Sequence, residues 1–293
     1  MLVIRVPGAT TDTNLPILRR DRLLEGANGG VLHLADMASR FSYDGTTPTN
    51  GKLIVDIAEN ANGQVVLTPG ETLGFSGNGI DFSPLTAASS AASGGVGSYV
   101  EAPAASLANI FGSANQYFMV CMYLKLPVLA DWNASAGIVG MAGAANTVNG
   151  YVTDPELVLF AQSATSFTIS VRRQTAIGAV ETFALQPAAG DYGSLVQLAF
   201  WRNAGGQGAR LRSANGTVLV TGAVGANNTA NFSARSFKIG VLPQYSTASA
   251  NVPQTANFKA HRWFIENLLT SGRAPATVLD ADWTRTLARG VFS

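Results

Sequence analysis

The chain has 293 residues, enough for a well-buried core, yet only 13% of them are charged, about half the roughly 25% usual in soluble domains. Nineteen basic residues against eighteen acidic ones exclude the positive excess that nucleic-acid binding or a polybasic membrane contact requires. Hydrophobic residues at 47% exclude a disordered chain, and a single cysteine, Cys121, with two histidines, His33 and His261, gives neither a disulfide framework nor a zinc cluster. No cofactor and no metal is expected.

The first seven residues form a short apolar run with one arginine, without the basic region and apolar core of a signal peptide, and no later run reaches the 18 or so residues of a membrane span. Residues 15–25 (LPILRRDRLLE) concentrate Arg19, Arg20 and Arg22, and are followed by a Gly-rich stretch at 26–30 and a polar one at 44–51. Residues 1–65 therefore read as an attachment arm with little core of its own; the alternative is a conventional first pair of strands belonging to the main sheet. From residue 52 onward, short runs with period-two alternation are separated by Gly, Asn, Pro and Ser, the pattern of an all-β sandwich.

Residues 53–57 and 64–67 flank Asn60-Ala-Asn-Gly as a hairpin. In 167–173 (FTISVRR), Phe167, Ile169 and Val171 share one face, which predicts a strand with one dry side. The runs 116–126 (QYFMVCMYLKL) and 195–201 (LVQLAFW) are apolar on both faces and belong at the centre of a sandwich. Asn215-Gly216 between 209–213 and 217–221 predicts a second hairpin; 236–241 and 258–267 add two strands. Near the end, Pro275, the spacing of Leu279, Trp283 and Leu287, and Gly290 predict a capped helix. The small-residue stretch 86–97 reads as a loop.

The order of these elements resembles the laminin-G-like or concanavalin-A-like lectin family, a jelly-roll β-sandwich, over residues 66–293. The resemblance is carried by Leu73-Gly74-Phe75 before a Gly-rich turn, Tyr99-Val100 ahead of Pro103, the central strand at 117–126, the Asn-Gly hairpin at 211–221, Ile239-Gly240, and the closing strand at 261–268 with the helix after it. It implies an all-β, concanavalin-A-like (laminin-G-like) sandwich with an N-terminal arm and a short C-terminal helix. Calcium, which many such domains hold, would have only Asp81 and Asp131 to bind it, short of the six to eight oxygens it takes.

Glycosidases on this sandwich need two carboxylates about 5 Å apart on one face. The seven glutamates, at 25, 59, 71, 101, 156, 181 and 266, form no such strand pair, and Asp154 and Glu156 only flank Pro155. His261 lies in an alternating strand, where a structural histidine is expected rather than a general base. No enzymatic activity is therefore expected. Sugar binding on loops could use Trp132 with Asn133, or Tyr151 with Asp154. The triplets at Asn133, Asn215, Asn227 and Asn231 reflect composition more than glycosylation.

Low charge, small polar residues in bulk and a lectin-like sandwich with neither disulfides nor an export signal point to a structural protein of a tailed-bacteriophage virion, made in the bacterial cytoplasm. Its expected partners are copies of itself, as a homo-oligomer and by expectation a trimer, and other virion proteins; no nucleic acid and no membrane insertion are expected. The alternative is a carbohydrate-binding or host-receptor-binding module that recognises a host-surface glycan.

Overall fold

The structure, a computed structural model, describes residues 21–85, 98–102, 104–111, 115–132, 137–142, 156–163, 166–232, 236–240 and 257–292. In chain order these form β1 (Val31–Asp36), β2 (Leu53–Ile54), β3 (Gly63–Val66), β4 (Gly74–Ser76), β5 (Gly79–Asp81), β6 (Tyr99–Ala102), α1 (Ala108–Phe111), β7 (Phe118–Lys125) and β8 (Gly137–Ala142). There follow β9 (Glu156–Ser163), β10 (Thr168–Ala176), β11 (Ala179–Leu185), β12 (Leu195–Asn203), β13 (Gly206–Ser213), β14 (Gly216–Gly222), β15 (Ser236–Ile239), β16 (Lys259–Asn267), α2 (Leu268–Ser271) and α3 (Pro275–Ala288). One sheet runs β14-β13-β12-β7-β16-β5-β4, with β1 also on β16; the other runs β11-β10-β9-β8-β15-β6-β3-β2. The expected two-sheet sandwich with a short C-terminal helix is what the chain adopts.

The two-faced strands predicted at 116–126 and 195–201 are β7 and β12, side by side in the first sheet. Phe118, Val120, Met122 and Leu124 point into the sandwich with Val196, Leu198, Phe200, Trp263 and Ile265. On the opposite face, Met119, Cys121, Tyr123, Ala199 and Phe264 pack under Leu23, Leu24, Leu279 and Trp283. The small side chains of Cys121 and Ala199, cross-strand neighbours, leave room for α3 to lie on the sheet. Apolar residues on both faces of β7 thus reflect two separate cores, each side chain worth about 1.5–3 kcal/mol on full burial.

Polar groups lock that outer layer. Tyr123 donates from its hydroxyl to Asp282 (2.8 Å), and Gln197 donates to Tyr123 (2.7 Å) and to the Leu279 carbonyl (3.0 Å). Burial, and then the Asp282 carboxylate, push the Tyr123 phenol well up. Pro275 stands in the first turn of α3, as expected, and Gly290 follows it at a φ of 58°. Leu287, however, is exposed; the buried stripe is completed by Val278, Asp282 and Thr286, because the helix turns a polar residue toward the ion cluster of the sheet.

Other expectations also change. Phe167 is exposed at a φ of 50°, in the turn before β10, and the dry row is Ile169, Val171 and Arg173. The second hairpin forms, but Ala214 and Asn215 make its turn and Gly216, at φ 144°, begins the return strand. The loop at 86–97 lies outside the described residues.

The segment 1–65 departs most from the expected arm. Residues 1–20 lie outside the described residues, but from residue 21 the chain is built into the sandwich. β1 pairs with β16 through Leu34↔Phe264 and Ala35↔Trp263, and β2 and β3 finish the second sheet. A boundary at 65/66 would cut β3. The physical reason is core: Leu23 and Leu34 are fully buried against Cys121, Phe264 and Trp283. Deleting residues 1–65 is therefore expected to abolish the cooperative thermal transition followed by circular dichroism; a truncated chain that melts like the full one would restore the separate arm.

Candidate functional site

Of the residues expected to bind sugar, Asn133, Tyr151 and Asp154 lie outside the described residues. Trp132 is placed, and it is not an exposed platform: it is buried, its indole N–H donates to the Ser163 carbonyl (3.0 Å), and its ring meets Tyr192 edge-on at 5.2 Å. A tryptophan in that state contributes packing and presents no face to a ligand. Of the calcium candidates, Asp81 accepts from the Ser83 amide (2.9 Å) and sits 3.6 Å from Lys259, while Asp131 ends a short 3-10 turn. Among the described residues no three Asp, Glu, His or Cys side chains cluster as a metal site would need.

A partly exposed aromatic ring, Trp201, lies elsewhere, on the outer face of the first sheet at the margin of the outer core. Cross-strand register places Met119, Trp201, Gly208 and Thr221 in one row over β7, β12, β13 and β14. Gly208 makes the arrangement possible. A Cβ there would lie 2.4 Å from the six-membered ring of Trp201, so the indole lies across the glycine, half-buried. Beside it opens a groove of about 480 Å³ lined by Trp201, Asn203, Gly205, Gly206, Gln207, Thr221 and Gly222. Asn203 accepts from the Gly205 amide (2.9 Å), which fixes its carboxamide at the rim.

The end of the sandwich below this groove is held by polar clamps. Arg202, pointing away from Trp201, donates to the carbonyls of Val224 (2.8 Å), Gly225 (2.9 Å) and Gln116 (3.3 Å), and to that of Asn115. Burial, with Arg173 nearby, lowers its pKa to about 10. Gln207 and Arg173 both donate to Glu181, at 2.6 and 2.9 Å. Gln116 and Asn228 exchange two hydrogen bonds, at 2.7 and 2.9 Å. Trp201 thus stands on a fixed floor, as a preorganised binding surface requires.

The apolar run 195–201 reads as two-faced and central, and that pattern conceals Trp201. The usable signal was the alternation itself. With Phe200 and Leu198 committed to the core, Trp201 shares the other face with Ala199 and Gln197, and Gly206-Gln207-Gly208 on the next strand leaves that face unfilled. A second crevice of about 340 Å³, between the 3-10 turn at Arg22–Leu24 and α3, has basic walls, but Arg273 is spent on Glu266 (2.6 Å) and Arg285 faces Asp282 (3.7 Å).

No protein-family model and no curated protein matches the sequence. Among solved structures, the binding domain of botulinum neurotoxin serotype D/C aligns with a TM-score of 0.50 at 9% identity, over 84% of this chain and 53% of that one. The binding domain of serotype C1 aligns at 0.48 and 8% identity, over 82% of this chain and 49% of that one. The Trypanosoma rangeli sialidase in complex with sialic acid aligns at 0.46 and 11% identity, over 86% of this chain and 32% of that one. This chain spans about half of the toxin domains and about a third of the sialidase. The likeness is one of fold, and the fold is the concanavalin-A-like lectin sandwich.

His261 occupies the position of a structural histidine. It is fully buried, its Nδ1 lies 2.9 Å from the Asn78 carbonyl, its ring meets Phe292 at a tilt of 41° with centroids 5.0 Å apart, and its Nε2 has no hydrogen-bond partner. Burial lowers its pKa from 6.5 to about 4; the Asn78 bond and Asp36 oppose that, while Lys259 and Lys125 reinforce it. The unfolded chain therefore binds this proton at a pH where the folded one refuses it. The resulting stability is complete above pH 6.5 and is lost as pH falls toward 4, worth about 3 kcal/mol in all. Melting temperature against pH is expected to fall less steeply over this window for His261→Gln, which can keep the Asn78 bond, than for the parent; parallel curves would contradict the assignment.

Proposed function

We propose that this chain is a non-enzymatic carbohydrate-binding module that holds a sugar ring against Trp201. The observation that carries the reading is the indole laid on Gly208 beside an open groove rimmed by Asn203 and Thr221. The C–H face of a pyranose packs on an aromatic ring, while a carboxamide, a hydroxyl and the backbone of Gly205 and Gly206 supply directional bonds to sugar hydroxyls. The lining contains no charged side chain, which favours a neutral sugar over a sialylated one. The lectin-like fold supports the reading by analogy.

A second reading, a homo-oligomeric structural protein of a bacteriophage virion, is favoured by the charge-poor composition. Co-sedimentation with assembled particles separates it from the first. For the carbohydrate reading, an array of neutral and sialylated glycans is probed with the parent, Trp201→Ala and Tyr151→Ala. Binding to a neutral glycan that weakens about tenfold or more in Trp201→Ala is expected. If Tyr151→Ala alone removes binding, the site belongs to the 151–154 stretch and the groove is wrong.

A further inference from the structure

The two long edges of the first sheet are treated in opposite ways. The free edge of β1 is sealed: the Leu34 amide donates to Asp56 (2.8 Å), the Ile57 amide donates to the Leu34 carbonyl (2.8 Å), and the Asn60 carboxamide donates to the carbonyls of Val31 and Leu32, both at 3.1 Å. β14, the last strand at the other end, has no such cover among the described residues. Its sequence, GTVLVTG, contains no charge and no proline, the devices that normally blunt an edge. The other edge strands differ: β2 and β4 are very short, and β11 carries Glu181.

The hairpin fixes which groups are free. Ser213 and Gly216 close a two-residue turn as a hydrogen-bonded pair, so by alternation Gly216, Val218, Val220 and Gly222 spend their backbone groups on β13. Thr217, Leu219 and Thr221 direct theirs outward. The strand is also a palindrome about Leu219, reading Gly-Thr-Val-Leu-Val-Thr-Gly in either direction.

We propose that β14 pairs antiparallel with β14 of a second copy, on a two-fold axis through Leu219. Leu219 then faces the partner's Leu219, and Thr217 faces the partner's Thr221, each pair exchanging both of its backbone bonds. Between them Val218 meets the partner's Val220, a β-branched cross-strand pair of the stabilising kind. A two-fold contact needs a self-complementary patch, and a palindromic strand is one at every position. The Leu219 side chain, 53% exposed in the single chain, is covered by its twin. The two first sheets become continuous. The closed two-fold pair replaces the three-fold assembly expected from the sequence, and it does not depend on the carbohydrate reading.

Native mass spectrometry and sedimentation of the full chain test it, with Leu219→Lys and Leu219→Glu as variants on an exposed position. The parent is expected to carry twice the chain mass. Each variant alone places like charges opposite each other at the axis and is expected to raise the dimer dissociation constant about tenfold or more, with an unchanged far-ultraviolet circular dichroism spectrum. An equimolar mixture of the two variants is expected to recover the dimer as a mixed pair. A monomeric or trimeric parent, or a dimer indifferent to both substitutions, would overturn the proposal.

Discussion

The guanidinium of Arg262 is the interaction on which the arrangement of this molecule depends. It is buried on the outer face of β16 and bonded to Asp21 (2.7 Å), Asp36 (2.9 Å) and Asp282 (3.0 Å). Burying such a charge costs several kcal/mol unless its partners are complete, and removing one side of such a cluster typically costs about 3–5 kcal/mol. Here the partners come from the stretch before β1, from β1 itself and from α3, so the charge is satisfied only when all three have docked. Burial alone would raise the Asp21 carboxyl, but Arg262 more than reverses this and holds it below its ordinary value. Arg289 adds a second cation on Asp36 (3.2 Å to one oxygen) and Arg285 a third beside Asp282 (3.7 Å), so three cations balance the three carboxylates.

From that hub the polar contacts run across the sheet through Asp282, Tyr123 and Gln197 to Arg210, which reaches Asp280 on α3 (2.8 Å). The helix is thereby fixed over one half of the outer face. What it leaves open is the far half: the row holding Trp201, Gly208 and Thr221, and the edge strand with Leu219. The covered and the open parts of one sheet are thus set by the same docking event, which places the groove at a constant distance from the covered half.

Much of this was legible in the sequence where periodicity and turn chemistry act locally. The strand at 167–173, the hairpin around Asn215 and the helix after Pro275 all form, with shifts of one residue or one side chain at their ends. Residues 21–65 were harder, because their partners are far away in the chain: Val31–Asp36 is six buried residues without alternation, and only the pairing with β16 explains why. The same is true of Arg262, which reads as an ordinary strand polar residue until Asp21 and Asp282 are brought beside it. Trp132 is the opposite case: beside loop residues it reads as exposed, and its enclosure comes from Ser163 and Tyr192, far along the chain.

Trp201 offers the most direct test of the account. Of the four tryptophans, Trp132, Trp263 and Trp283 are 7%, 0% and 5% exposed, whereas Trp201 is only half-buried, so a ligand that seats on the groove must change the emission of that one indole. Titrating the full chain with a bound neutral glycan while following tryptophan fluorescence is expected to give a saturable change that tracks binding and disappears in Trp201→Phe. Binding that leaves the emission untouched, or a change that persists in Trp201→Phe, would contradict it.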